Sequence, residues 1–231
     1  MNGRETNHAV EYWLKFFSGE LPFESVVIDF LCKRQCLQAL INSDVPSTQQ
    51  LAIAQKLLDE LLTIPLESLP SLLAQVGCFE AVSAASIPQF SNFASALVYL
   101  PKLLNESMKS MTHMEVGYAL HQACTSDTAA KKYGENHAKL AIACGLAVGT
   151  KIEGFAGVRI SLLGSAYCKF SAEEKLSILA RLCYRIPIIQ KAALSKDKNA
   201  SVEESLLALS PSTRNRRRRN VYELLAYALN E

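Results

Sequence analysis

Residues 134–164, GENHAKLAIACGLAVGTKIEGFAGVRISLLG, carry six of the ten glycines in this 231-residue chain, so the stretch cannot be one helix. Its first part sets His137, Leu140, Ala141 and Cys144 on one side of a helix that is expected to stop at Gly145. Two short strands follow, Leu146–Ile152 and Val158–Ser161, around a glycine-rich turn Glu153-Gly154-Phe155-Ala156-Gly157. A small hairpin set among helices therefore decides the character of the second half.

Downstream the texture is helical again. Ser171 with Glu174 forms a capping box ahead of Leu176, Ile178, Leu179, Leu182 and Cys183, and Pro187 interrupts that run before Ile188–Leu194. Ser201 with Glu204 predicts another capped helix, reaching about Leu209. Ser210-Pro211-Ser212 is turn chemistry, and Thr213 stands just inside the next start. Then come Arg214-Asn215-Arg216-Arg217-Arg218-Arg219-Asn220, followed by Val221, Leu224, Leu225 and Ala228 at helical spacing. A short helix, a turn and a second helix with a basic first half follow helix-turn-helix logic. Together with the hairpin, these are the ingredients of a winged-helix domain.

Upstream, helical signals dominate. Pro22 with Val26, Val27, Phe30, Leu31, Leu37, Leu40 and Ile41 predicts a helix to about residue 42. Ser47 with Gln50 opens another, closed by Pro65, and Ser71–Val76 is a short helix with Gly77 as its stop. Ser91–Met111 is helical in pattern, kinked or divided by Pro101. Thr112 with Glu115 caps a helix running to about Cys124. The fold class expected is mainly α. An acidic helical bundle over 1–126 precedes a basic winged-helix or helix-turn-helix part over 127–231 with a small β-hairpin.

Charge supports that division. Residues 1–130 hold 7 Lys and Arg against 13 Asp and Glu, net −6; residues 131–231 hold 17 against 9, net +8. The overall +2 hides a dipolar chain, and the basic half suits an acidic partner such as nucleic acid. With 49% hydrophobic residues the chain is no disordered polyion. No apolar run reaches membrane-spanning length and the first residues lack an apolar leader, so a cytoplasmic protein with no membrane partner is expected.

The seven cysteines lie mostly in apolar stretches and read as reduced, buried thiols. Cys32 and Cys36 share a helix face, but no paired half-sites of zinc spacing occur, so neither metal nor cofactor is expected. The chain also lacks G-x-S-x-G, H-E-x-x-H and G-x-x-x-x-G-K-[ST]. Glu173-Glu174-Lys175 has the wrong spacing for a nuclease acid-x-Lys pair and is better read as a capped helix start. A non-enzyme is expected.

Helical geometry ranks the arginines. At about 100° per residue, Arg214 and Arg217 fall near the face of Val221 and Leu225, Arg216 and Arg219 lie opposite, and Arg218 is on the flank. Arg216, Arg218 and Arg219 are therefore the expected DNA contacts, with Arg214 reaching a phosphate from an exposed first turn. Arg217 is expected to lie along the protein surface or pair with an acid. Lys131, Lys132 and Lys139 on the preceding helix and Lys151 and Arg159 on the hairpin complete the set.

The C-terminal hundred residues resemble winged-helix and helix-turn-helix modules of bacterial restriction-modification and related defence proteins. The resemblance rests on Tyr133-Gly134-Glu135-Asn136-His137-Ala138-Lys139-Leu140-Ala141 with Cys144-Gly145-Leu146, on Leu163-Gly164 with Phe170–Lys175, and on Leu209–Thr213 with Arg216, Arg217, Val221 and Leu225. It covers less than half of the chain. Tryptophans common in the terminal helix of those modules are replaced here by Leu224, Leu225 and Tyr227. The resemblance implies a duplex-DNA-binding accessory or recognition subunit, or a regulator, working as a homodimer or beside a partner nuclease. The other reading is a helical scaffold whose arginines bind an acidic protein surface.

Overall fold

Caps and prolines set most helix boundaries in this chain. The structure is a computed structural model and describes residues 15, 18, 20–32, 48–76 and 81–229. Expectations that fall on Cys36, Ser47, Gly77 and Cys78, and on residues 33–42 of the first helix, lie outside the described residues. Among the described residues the chain is mainly helical with one three-stranded antiparallel sheet.

Helix α1 spans Phe23–Leu31 and α2 spans Thr48–Thr63, ending just before Pro65. A 3₁₀ turn at Leu66–Ser68 leads into α3, Leu69–Val76. The helix expected to be kinked or divided by Pro101 widens into a π-turn at Ser95–Tyr99 just before it and continues as α4, Leu100–Ser107. A proline lacks the N–H that the usual register needs, and a wider turn just before it accommodates that loss.

Strand β1, Met111–Thr112, is only two residues long. Thr112 then caps α5, His113–Leu120, through a full capping box with Glu115. Ser126 caps α6, Asp127–Ala143. That helix ends in a Schellman pair, Gly145 N–H to Ile142 and Leu146 N–H to Ala141, with Gly145 at φ +80°. Strands β2, Ala147–Ile152, and β3, Phe155–Ile160, form the hairpin. The sheet order is β1-β3-β2.

The hairpin turn is shorter than expected. Only Glu153 and Gly154 connect the strands, both at positive φ (49° and 86°), as a two-residue type I′ turn requires. Gly157 lies inside β3, where an added Cβ would sit 2.6 Å from the Met111 carbonyl oxygen. It is a glycine because β1 passes close to it, not because the chain turns there.

Helix α7, Leu162–Tyr167, is capped by Ser161, and α8, Ala172–Leu182, by the Ser171–Glu174 box. A 3₁₀ turn at Cys183–Arg185 precedes α9, Pro187–Leu194, with proline in its first turn. Helix α10 spans Lys198–Leu206 and corrects one expectation. Its cap is Asp197, which accepts from the Ala200 N–H at 2.9 Å, so Ser201 lies buried inside the helix. Asp197 offers a strong N-cap one turn earlier, and the Ser201–Glu204 spacing is incidental. Helix α11, Pro211–Leu229, likewise starts two residues before Thr213, with Pro211 in the position that prolines favour.

The buried side chains from Val26 to Ala228 form one continuous apolar cluster. The compositional change at 126/127 falls within this packing, since β1 pairs with β3 across it. Two buried arginines tie distant helix ends together. Arg181 donates to the Ile64 and Leu62 carbonyls just beyond and at the end of α2. Arg185, 2% exposed, donates to Ala143 of α6 and, at 2.5 Å, to Phe30 of α1, with its guanidinium 4.3 Å from the Phe30 ring. Cations at helix C-termini satisfy carbonyls that the helix leaves open.

Candidate nucleic-acid interface

Helices α5 and α6 meet backbone to backbone. A Cβ on Gly117 would stand 1.8 Å from the Ala130 carbonyl oxygen, and one on Gly134 would stand 1.9 Å from that of His113. Two glycines, one on each helix, permit this approach and fix the angle at which α6 leaves the pair. His137, Ala138, Leu140 and Ala141 of α6 are buried, which turns Thr128, Lys131, Lys132 and Lys139 to the surface.

Glu135 organises two of these lysines. It accepts from Lys139 at 2.6 Å and from Lys132 at 3.0 Å. The hydrogen bond from Lys139 is the main cause that holds its carboxyl at about 2, with Lys132 adding to it. Behind that face Tyr133 stacks between His121 (4.9 Å) and His137 (4.0 Å). His137 is hydrogen-bonded to the Tyr133 carbonyl at 2.7 Å, and burial lowers its pKa.

The strand register separates the two hairpin cations. Lys151 is exposed on the face it shares with Gly149, whose Cβ position lies 3.8 Å from Ile142 of α6. Arg159 pairs with Val148 and so lies on the other face, where it contacts the Ile160 carbonyl at 3.4 Å. Lys151 therefore lies on the sheet face that meets α6, and Arg159 on the opposite face. Phe155, 65% exposed beside the turn, is a residue sequence reasoning did not single out.

The terminal helix divides its arginines differently from expectation. Arg214 is half-buried and donates to the Leu206 and Leu209 carbonyls at 3.2 and 3.3 Å, capping α10. It was expected in an exposed first turn, but the start at Pro211 moves it into the second turn. Arg217 turns inward as its angle implies, yet its partners are the carbonyls of Ala84 and Ile87 rather than an acid. Arg218 makes a two-pronged ion pair with Glu203 at 2.9 and 2.7 Å, which lowers the Glu203 pKa. Arg216 and Arg219 remain exposed, with Arg216 3.4 Å from the Thr213 hydroxyl.

Among the described residues, no group of three His, Cys, Asp or Glu side chains gathers as a metal cage, and no helix is long and apolar enough to cross a membrane. Among the described cysteines, Cys144 and Cys183 are buried. Arg181 and Arg185 were also missed, because their partners are backbone carbonyls far away in the chain. No protein-family model, curated protein or solved structure matches this sequence.

Proposed function

We propose that this chain binds duplex DNA through α6 and the adjoining hairpin, without catalysing a reaction on it. The observation that carries the reading is the order α4-β1-α5-α6-β2-β3 with sheet order β1-β3-β2 over residues 100–160, which supports a winged-helix reading of this segment. In that arrangement α6 is the recognition helix and Glu153-Gly154 the tip of the wing. Lys131, Lys132, Lys139 and Lys151 then face phosphate, and Glu135 holds two of the lysines in place until they meet it. A role as an accessory or recognition subunit, or a regulator, in a bacterial restriction-modification or defence setting rests on the sequence resemblance alone.

Fluorescence anisotropy on a random-sequence duplex across a salt series tests this. Four lysine contacts predict a log–log slope of about −3 to −4. Undetectable binding at low salt, or binding unchanged in a Lys131/Lys132/Lys139/Lys151→Ala protein, defeats the reading. A helical scaffold without nucleic acid is the second reading. It is favoured by one observation: Arg214, Arg217 and Arg218 are all engaged by their own chain.

A further inference from the structure

A groove of about 710 Å³ runs between α8, α11 and the turn before α3. Its lining combines an apolar strip, Leu176, Ala226 and Tyr227, with three carboxylates, Glu67, Glu173 and Glu223. Leu176 is 51% exposed, large for a leucine. Among the described residues none of the three glutamates makes an ion pair. The one cation in the lining, Arg181, has its guanidinium turned to the carbonyls of Leu62, Ile64 and Ser177. The groove is thus acidic and apolar: Glu67 faces the Arg181 charge, while Glu173 and Glu223 make no ion pair among the described residues.

The matching surface lies on the same helix. At about 100° per residue, Arg216, Arg219, Glu223, Ala226 and Tyr227 fall within one stripe about 100° wide along α11. Its N-terminal half is basic, with Arg216 and Arg219 exposed, and its C-terminal half forms a wall of the acidic groove. A helix face with cations at one end and carboxylates at the other complements an antiparallel copy of itself. With a two-fold axis at the level of residue 221, Arg219 of each copy stands opposite Glu223 of the other. Arg216 then stands opposite Ala226, inside the groove that Glu173 also lines.

We propose that the occupant of this groove is a second copy of this chain, in a two-fold dimer built on antiparallel α11 helices. The interface is isologous, so every charge pair occurs twice. Arg216 and Arg219 serve this contact rather than phosphate. The inference stands apart from DNA binding by α6, since mass and DNA affinity are measured separately.

Sedimentation equilibrium of the full chain, with circular dichroism to verify folding, tests it. The wild type is expected to be a dimer that dissociates as salt rises. Glu223→Arg or Arg219→Glu alone sets like charges opposite each other at two places and is expected to raise the dissociation constant by at least about tenfold. The double variant R219E/E223R restores opposite charges and is expected to return most of the affinity. A wild type that stays monomeric up to about 100 µM at low salt overturns the proposal. So does a dimer indifferent to both single reversals, or one that the double variant does not rescue. A monomer that loses duplex affinity in R216A/R219A also overturns it and assigns these arginines to phosphate.

Discussion

Replacing Gly134 with alanine would set a methyl group 1.9 Å from the His113 carbonyl oxygen, 2.8 Å from the Gly117 nitrogen and 2.9 Å from the His113 carbonyl carbon. All three neighbours are backbone, so no side chain can rotate away. Ordinary contact starts near 3.4 Å, so α5 and α6 must part by about 1.5 Å. A gap of half that size already forfeits a large part of the dispersion well for atoms lining the interface, among them buried Val116 and Ala130. Overpacking of this severity costs about 3 kcal/mol, and the helix-forming preference of alanine returns about 1 kcal/mol. The net loss is about 2 kcal/mol, a fall in Tm of about 4–8 °C for a chain of this size. Urea and thermal unfolding followed by circular dichroism measure it. Gly149→Ala is the control, because its nearest neighbour is Ile142 Cδ1 at 3.8 Å and little change is expected. If Gly134→Ala lies within about 0.5 kcal/mol of wild type, the close crossing of α5 and α6 is wrong.

Glu135→Gln removes the carboxylate that holds Lys132 and Lys139, and is expected to tighten duplex binding several-fold; weaker binding would give Glu135 a direct part in recognition. Burial lowers the pKa of both His137 and His113, so the unfolded chain takes up protons first as pH falls. Stability is therefore expected to be full above about pH 7 and to decline as pH drops through about 6.5, with a shallower decline in His137→Gln measured by thermal melts. Glu135 adds a second loss only below about pH 4.5, completed near its folded value of about 2. Arg217→Ala removes the donor to Ala84 and Ile87 and is expected to cost about 1–2 kcal/mol, whereas Arg216→Ala should change stability by less than about 0.5 kcal/mol.

Local rules could be read from the chain where both partners are near in sequence. The boxes at Thr112–Glu115 and Ser171–Glu174, the stop at Gly145 and the hairpin all follow from residues within a few positions of one another. The Ser201–Glu204 box failed because spacing alone does not say which of two capping residues the helix uses, and Asp197 came first. Strand β1 was invisible: two residues carry no period, and their pairing partner lies more than forty positions away at Gly157 and Val158. The α11 angles correctly separated inward from outward arginines, but not what the inward ones meet. Carbonyls at Ala84, Ile87, Leu206 and Leu209 have no signature in sequence. The register that divides Lys151 from Arg159 was hidden for a related reason, since it depends on a two-residue turn that the glycine-rich stretch made look longer.

Arg185 carries a consequence for how the chain reaches this state. Its guanidinium joins Phe30 to Ala143, a span that closes only once residue 185 is in place. During synthesis α1 leaves the ribosome well before α6, yet the carbonyl of Phe30, next to last in α1, meets this donor about 155 positions later. An N-terminal helix of this length is marginal on its own in water. It packs against α2 and α3, but the link through Arg185 to α6 forms only after the segment as far as the 3₁₀ turn at Cys183–Arg185 has emerged. A truncation before residue 185 removes the donor to Phe30 and is expected to leave α1 more open to proteases.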